Sequence, residues 1–484
     1  MSLLHIHLPP FWRWILAIVE LVSVVAALLH VLLRKKDPRA AAYWVALIIL
    51  VPLLGPVLYL LLGINIIRRS GRRYRDAVPI DSQGRLSSYV ASLLPEWETE
   101  VQSMPGLVTS LNTLSRMSLV GGNAVAVLRN GTEVMPAMLE AIDGATTSVS
   151  LLSYIFEVKG VGLRFVEALE RAVKRGVKVR VMIDDAGTRY AWPPVTGELS
   201  RRGITVRRFM PIRFIGRLLT MNLRNHRKIM VVDGRVGFTG GVNIRQGNML
   251  EEHPEHPVQD LHFRVQGPVV MQMQQAFGED WQFCTGEVLE GKEWYPELEM
   301  PGDVSAIGLP DGPDDDTQTI SFAIATALHE AKREVRVMTP YFLPPEPIFS
   351  ALIACALRGV KVRILLPSEN NIPMVKWASR TMYAPLLRHG CRFFESAPPF
   401  DHSKALVIDG IFTLIGSTNW DPRSLQLNFE FNLACFDDKL ARILTAEFDR
   451  KRATATEVTM ETLAAQSVGE QLRNGVARLL IPLL

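Results

Sequence analysis

An eight-residue pattern, HxKxxxxD, occurs twice in this chain: His226, Lys228 and Asp233 in NHRKIMVVDG, then His402, Lys404 and Asp409 in DHSKALVIDG. A duplicated motif constrains the fold more than composition does, because both copies need the same local structure around them. The tails match as well. GRVGFTGGVNI (234–244) and GIFTLIGSTNW (410–420) each read as a turn, a short apolar strand and a small-residue loop carrying Asn243 or Asn419. Upstream, AVKRGVKVRVMID (172–184) matches CALRGVKVRILLP (355–367), each a helix end, a Gly stop and a basic-then-apolar strand. VSLLSYIFE (149–157) likewise parallels VRVMTPYFL (335–343). Strands alternating with helices of roughly ten to fifteen residues predict βαβ units with a mainly parallel sheet, present twice.

On an extended strand alternate side chains share a face, so the His and Lys of each copy look into one cavity. Two such strands meeting would supply two imidazoles and two ammonium groups. Imidazole is a nucleophile or proton donor near neutral pH, and lysines hold an anion such as phosphate, so the spacing points to phosphoryl transfer. A single copy could be a solvated His and Lys on an edge strand; two copies with matching flanks are not explained that way.

The segment from about residue 107 to 450 resembles the phospholipase D superfamily. GSTNWDPRSLQLNFE (416–430) and the hydrophobic N-terminal hairpin are similar to the bacterial cardiolipin synthase branch. The resemblance implies two pseudo-symmetric phospholipase D-like α/β/α lobes whose motif strands face one another, and covalent catalysis that needs no metal or other cofactor. By the same resemblance His226 is the nucleophile and His402 the general acid. Glu430, 28 residues after His402, stands where the family has a supporting acid, and Asp260, 34 residues after His226, is read as its counterpart. The family's Trp-Arg pair ahead of the first acid is replaced here by Val258 and Gln259. His262 reads as a polar face residue of the following strand.

Charge and protonation lead to the same mechanism. Negative charge building on the phosphoryl oxygens is stabilised by Lys228 and Lys404, with Asn243 and Asn419 as neutral donors to the phosphate. One neutral imidazole attacks phosphorus while the other, protonated, donates to the departing alkoxide, so their surroundings must set different protonation states at one pH. A covalent phosphatidyl-histidine then lets a second alcohol replace the first. Asp233 and Asp409, each followed by Gly after an apolar run, are expected to cap the strand-to-turn step rather than to touch substrate.

Other chemistries find little support. There is no HExxH or HxxxH, and His253 and His256 lie among prolines in what reads as a loop, so no catalytic metal is expected. The four cysteines, Cys284, Cys355, Cys391 and Cys435, are scattered singly; Cys355 and Cys435 fall in apolar runs and are expected in the core. A net charge of +4 does not demand a nucleic-acid partner.

The N-terminus sets location. WILAIVELVSVVAALLHVLL (14–33) is about 30 Å long as a helix, and residues 41–67 contain no charge. Both are long enough to span a bilayer, and RKKDPRA between them makes an antiparallel hairpin, with no clear signal-peptide cleavage site. Pro52, Gly55 and Pro56 offer a kinked or re-entrant path as the alternative. Arginines and lysines are almost evenly placed, at 34, 35, 36 and 39 between the spans and at 13, 68, 69, 72, 73 and 75 outside them. That slight excess favours a cytoplasmic catalytic domain, and the resemblance implies a bacterial inner membrane. RRFMPIRFIGRLLTMNLRNHRK (207–228) interleaves Arg with Phe, Ile and Leu and suits anionic headgroups, and the last residues form an amphipathic tail that could dock on the membrane or pack on the domain.

The expected organisation is an N-terminal transmembrane hairpin at 1–75, a linker at 76–106, a first catalytic half at 107–290, an exposed Pro/Gly/Asp-rich inter-lobe linker at 291–316, a second half at 317–455 and a tail at 456–484. The expected activity is that of a membrane-anchored phosphatidyltransferase joining two phosphatidylglycerols into cardiolipin and glycerol. Another lipid donor or acceptor such as phosphatidylethanolamine, or water, is the alternative, with a nuclease behind it.

Overall fold

The computed structural model describes residues 10–35, 38–60, 99–115, 117–190, 192–210, 224–313 and 318–479. Contacts divide the chain into two compact units, the N-terminal hydrophobic region and the large body that contains both motifs.

In the body, the strands of the first half are β1 (Val120–Arg129), β2 (Ser148–Ser153), β3 (Lys178–Asp184) and β4 (Val206–Phe209). They are followed by β5 (Ile229–Val232), β6 (Val236–Gly240), the short β7 (Val258–Gln259) and β8 (Leu261–Gln266). The second half supplies β9 (Val304–Asp311), β10 (Glu334–Met338), β11 (Lys361–Pro367) and β12 (Arg392–Ser396). After these come the short β13 (Phe400–Asp401), β14 (Ala405–Ile408), β15 (Phe412–Gly416), β16 (Glu430–Phe436) and β17 (Thr456–Val458). All but β7 and β13 join one sheet of 15 strands. From its middle, where β1 and β9 pair, the order runs outward as β1-β8-β6-β5-β2-β3-β4 on one side. On the other it runs β9-β16-β15-β14-β10-β11-β12, with β17 added at the edge. The repeat read in the sequence is thus repeated in the strand order.

Helices cover the sheet because their apolar spacing fits it. In Val161–Lys174 the buried residues Val161, Phe165, Val166, Leu169 and Ala172 recur at helical spacing and pack on alternate residues Val179, Val181 and Ile183 of β3. Cys355, Cys391 and Cys435 are buried free thiols and Cys284 is half-buried.

Two expectations about the sheet need correction. Within the 15-stranded sheet only β2–β3–β4 and β10–β11–β12 are parallel among the described residues; the motif strands are antiparallel to their neighbours. The cause is local. Asp233–Gly234 and Asp409–Gly410 adopt consecutive positive φ values (53° and 64°, 55° and 72°), which turn the chain straight back into β6 and β15. The exposed connection expected at 291–316 contains β9, whose residues Val304, Ala306, Ile307 and Leu309 are buried between β1 and β16. Flanking Pro, Gly and Asp hid a central strand; residues 314–317 lie outside the described residues.

The C-terminal segment packs rather than standing free. β17 pairs with β12, and the helix Val468–Leu479 lies on the helix Pro373–Arg388, burying Ala477 beside Val375 and Ala378. Arg473 sits 4.7 Å over the Trp377 ring. Val468, Leu472, Val476 and Leu479 remain exposed at helical spacing.

In the N-terminal unit, the helix Pro10–Arg34 contains a stretch, Trp14–Arg34, long and apolar enough to cross a membrane. The second apolar segment is interrupted: Pro38–Leu50 is helical for 13 residues, the helix breaks at Val51, and a short turn of helix resumes at Gly55–Leu58. Pro52 and Pro56 account for the break, since proline removes a helix hydrogen bond and disfavours helix in the residue before it. Val31, Ile48 and Tyr59 form the buried core of this unit, and His30 Nδ1 lies 2.8 Å from the Tyr59 hydroxyl. Among the described residues one helix therefore meets the length for a span, where two were expected. Residues 61–98 lie outside the described residues, as does the core of the basic-apolar stretch, 211–223.

Candidate active site

Backbone pairing between the two halves builds the site. His226 N–H donates to Phe429 O at 2.8 Å and Phe429 N–H to Arg224 O at 2.8 Å, so the strand entering the first motif runs beside the residue that precedes Glu430. Likewise β13 pairs in parallel with β7, and His402 N–H donates to Gln259 O at 2.8 Å, beside the residue that precedes Asp260. Each motif histidine is thereby set next to the acid of the opposite half. His226 Nδ1 lies 3.1 and 3.2 Å from the two Glu430 oxygens, and His402 Nδ1 lies 2.8 Å from Asp260 Oδ2. Both acids are fully buried. With Nδ1 held by a carboxylate, Nε2 is the ring nitrogen left to react.

Both histidines line one cavity of about 900 Å³, together with Asn243, Asn419, Tyr154 and Tyr341. Lys228 and Lys404 are buried, each donating from Nζ to the carbonyl of its own motif histidine, at 2.7 and 2.5 Å, and both act electrostatically on the two imidazoles. Tyr154 stacks edge-on against His226 at 5.2 Å, and Tyr341 against His402 at 6.2 Å. Asn243 accepts from Ile155 N–H at 3.1 Å, which orients its NH₂. The Asn419 amide donates to Ser424 Oγ at 3.2 Å and its oxygen has no hydrogen-bond partner.

Burial dominates the electrostatics. It lowers Lys228 to about 7 and Lys404 to about 8, so Lys228 is only partly charged near neutrality, Lys404 loses its charge a little above it, and both gain from an arriving anion. Burial also lowers both imidazoles. For His226 the Glu430 carboxylate opposes burial while Lys228 and Lys404 add to it; His402 is pushed well down, by burial first and then by Lys404, Lys228, His226 and Arg245. The acids differ. Burial would raise Glu430, but the His226 and Lys228 charges and the Ser417 hydroxyl, at 2.5 Å, hold it below its usual range. Asp260, with no such hydroxyl, is pushed by burial up to about 6. Gly241 occupies the position equivalent to Ser417, and a Cβ there would stand 2.2 Å from Asp260 Oδ1.

Asp233 and Asp409 are remote from this chemistry. Asp233 accepts from the N–H groups of Thr146, Thr147 and Ser148, and Asp409 from those of Lys332, Arg333 and Glu334, tying each hairpin turn to the start of the neighbouring β2 or β10. No cluster of three or more His, Cys, Asp or Glu suited to a metal occurs among the described residues.

Several residues of the site were not found from the sequence. Tyr154 and Tyr341 were signalled by the paired SYIFE and TPYFL segments. Arg227, between the motif His and Lys, points to the opposite face and binds Asp280 at 2.8 Å, Glu430 O at 3.0 Å and Asp311 O at 3.1 Å, joining the halves. A charged residue at an inward position of a motif strand was its signal. His262 was read as a polar face residue but is buried, with Nδ1 unpartnered and a pKa pushed by burial down to about 3.

Two histidine–carboxylate pairs on one cavity, with a buried lysine bonded behind each histidine, have the make-up of a phosphoryl-transfer centre of the phospholipase D type. The family model described as "Cardiolipin synthase, PLD-like domain" matches residues 138–281 and 324–452, and a "Phospholipase_D-nuclease N-terminal" model matches 22–63. Cardiolipin synthase of Oceanobacillus iheyensis is 30% identical over 97% of this chain and 99% of its own length. Cardiolipin synthase A of Pseudomonas putida is 32% identical over 99% of both. Phosphatidylserine synthase of Haemophilus influenzae Rd KW20 shares the fold, with a TM-score of 0.60, 15% identity, and coverage of 78% of this chain and all of that one. The chain belongs to the cardiolipin synthase family of the phospholipase D superfamily, and is a membrane-associated phosphatidyltransferase.

Proposed function

We propose that the protein joins two phosphatidylglycerols into cardiolipin and glycerol through a phosphatidyl-histidine, from a cytoplasmic catalytic body anchored by two N-terminal spans in a bacterial inner membrane. The observation that carries this reading is the crossed pair of histidine–carboxylate contacts on one cavity, with a buried lysine bonded to the backbone of each histidine. Cardiolipin synthases similar over the whole length support the choice of lipid substrate.

In this mechanism His226 Nε2 attacks phosphorus, its Nδ1–H held by Glu430, which stays anionic and offsets the positive charge of the phosphorylated ring. Lys228 and Lys404 take up the charge developing on the phosphoryl oxygens, with Asn243 and Asn419 donating beside them. His402 gives its proton to the departing glycerol oxygen. Apart from burial, what depresses His402 is a set of cationic neighbours, and a bound phosphodiester offsets those charges, so the anion itself favours the protonated acid. The neutral ring then removes the proton of the second phosphatidylglycerol hydroxyl, whose oxygen displaces His226.

Labelled phosphatidylglycerol given to the purified protein tests the reaction. Cardiolipin with free glycerol is expected, phosphatidate would indicate water as acceptor, and cleaved DNA without lipid turnover would replace the reading with a nuclease. His226→Ala should abolish both product and covalent adduct. His402→Ala should slow glycerol departure by about 10²–10⁴-fold and recover with a leaving group that needs no proton. An adduct mapped to His402 would reverse the roles.

A further inference from the structure

The two walls of the cavity are not alike. Two residues before the motif histidine, on the same strand face, the first half has Arg224 and the second has Phe400. Two residues after the motif asparagine, the first half has Arg245 and the second has Asp421. All four line the cavity, and Arg189 adds a third guanidinium to the first wall, against the single Arg423 of the second.

Arg224 and Arg245 each meet an acid only at long range, without a hydrogen bond between them. Arg224 is 5% exposed, its Nη1 makes no hydrogen bond, and its acidic neighbour Asp184 stands 3.8 Å away. The Asp184 oxygens already accept from the N–H groups of Ala186 and Asn225, at 2.8 and 2.7 Å. Arg245 lies 4.0 Å from Glu157, which accepts from Gln246 N–H at 2.8 Å, and its buried Nε makes no hydrogen bond. A buried unsatisfied donor, such as Arg224 Nη1 or Arg245 Nε, is costly unless something anionic completes it, and the part-exposed remainder of Arg245 can reach such a group from the cavity wall. Arg245 also bears electrostatically on His402 and Tyr341, across the cleft from its own half.

We propose that Arg245, assisted by Arg224, forms a second phosphate subsite on the first-half wall that binds the phosphodiester of the acceptor lipid. The inference rests on the reading that the acceptor is itself an anionic phospholipid carrying a free hydroxyl. In the second step the acceptor oxygen loses its proton to His402 Nε2 and forms an O–P bond as the His226 N–P bond breaks. Lys228 and Lys404 are then engaged with the phosphoryl group in transfer. The acceptor brings a second negative charge, three carbons beyond the reacting oxygen, and that charge requires its own partner. Guanidinium meets a phosphodiester in a two-pronged geometry that an ammonium cannot reproduce. A neutral acceptor such as glycerol has no use for the subsite.

The test measures two reactions of the full-length enzyme in phosphatidylglycerol vesicles: cardiolipin formation, and exchange of labelled glycerol into phosphatidylglycerol. Arg245→Gln is expected to lower cardiolipin formation about tenfold or more, chiefly through KM for the acceptor, while glycerol exchange changes less than about threefold. Arg245→Lys should fall between, and Arg224→Gln should shift the same ratio in the same direction. Parallel loss of both reactions in a folded variant, or no change in their ratio, overturns the subsite. A wild-type enzyme that exchanges glycerol without making cardiolipin overturns the proposed reaction, and the subsite with it.

Discussion

The two halves of the body agree where chemistry needs two of a kind and differ where it needs two distinct roles. Each contributes a histidine, a lysine, an asparagine, a tyrosine and a buried acid from corresponding strands. Yet Glu430 receives a hydroxyl from Ser417 and is held low, while Asp260 abuts Gly241 and is raised to about 6. One longer acid with a donor against one shorter acid without it is a small change in sequence. It suffices to give two otherwise matched imidazoles different surroundings, which an acid and a nucleophile at one pH require.

Exchanging the acids for amides probes that difference most strongly. Glu430→Gln removes the anion facing the ring that becomes phosphorylated, and should cut adduct formation by about 10²–10⁴-fold whatever the leaving group. Asp260→Asn should cost a similar factor with phosphatidylglycerol, and much less with an activated leaving group, because His402 acts on the proton alone. Single-turnover adduct trapping with both substrates separates the cases. Equal sensitivity of the two variants to leaving group would remove the functional distinction between the halves.

The lysines sharpen the comparison at the next scale. Burial sets Lys228 at about 7 and Lys404 at about 8, below the ordinary value near 10.5. Protonated lysine is what binds the phosphodiester, so KM should rise as pH climbs above about 8, with kcat less affected. Stability has the opposite sign. The unfolded chain binds more protons than the folded one between these values and about 10.5, so the substrate-free protein should gain stability as pH rises through that window. Lys228→Met should therefore raise Tm by a few degrees near pH 7 while abolishing activity, with a smaller gain for Lys404→Met and a narrowing difference toward pH 9. A fall in Tm for Lys228→Met would show that its ammonium stabilises the fold.

What the sequence made legible follows from the range of the signals. The motif, its duplication and the Asp-Gly turns are local patterns, and they gave the two halves and the histidine and lysine pairs. The pairing of His226 with Glu430 and of His402 with Asp260 was not legible. It is decided by which backbone lies alongside which, Phe429 beside His226 and Gln259 beside His402, across 140 residues or more of chain. The central strand β9 was lost for a related reason: its Gly308 and Pro310 and the Asp-rich residues after it read as linker, whereas pairing on both edges decides its state. Arg227 and His262 were missed because burial of a polar side chain depends on neighbours from the other half. The second hydrophobic segment was long enough by composition, and its prolines, noted as an alternative, interrupt its helix at 51–54.

The smallest expected effect concerns the motif aspartates, where the halves should be equivalent. Asp233 and Asp409 each accept three backbone N–H groups at the start of the neighbouring strand and occupy a left-handed turn residue. Asn keeps the left-handed propensity and part of the acceptor set, so Asp233→Asn and Asp409→Asn should each lower stability by only about 1 kcal/mol, and Ala by about 1–3 kcal/mol, as charge-assisted bonds are lost. For Asp233, burial acts to raise the pKa, but the N–H groups of Ser148, Thr147 and Thr146 outweigh it and hold the carboxyl below its ordinary value. Its contribution is thus present above the unfolded carboxylate range and disappears as pH falls through the lower, folded value. The activity of correctly folded variants should stay within about threefold of wild type, because neither carboxylate meets an imidazole or a lysine of the site. Denaturant melts alongside glycerol-exchange rates decide the matter: a loss of turnover much larger than the loss of folded protein, in one half and not in the other, would assign that aspartate a part in the chemistry and break the equivalence of the two turns.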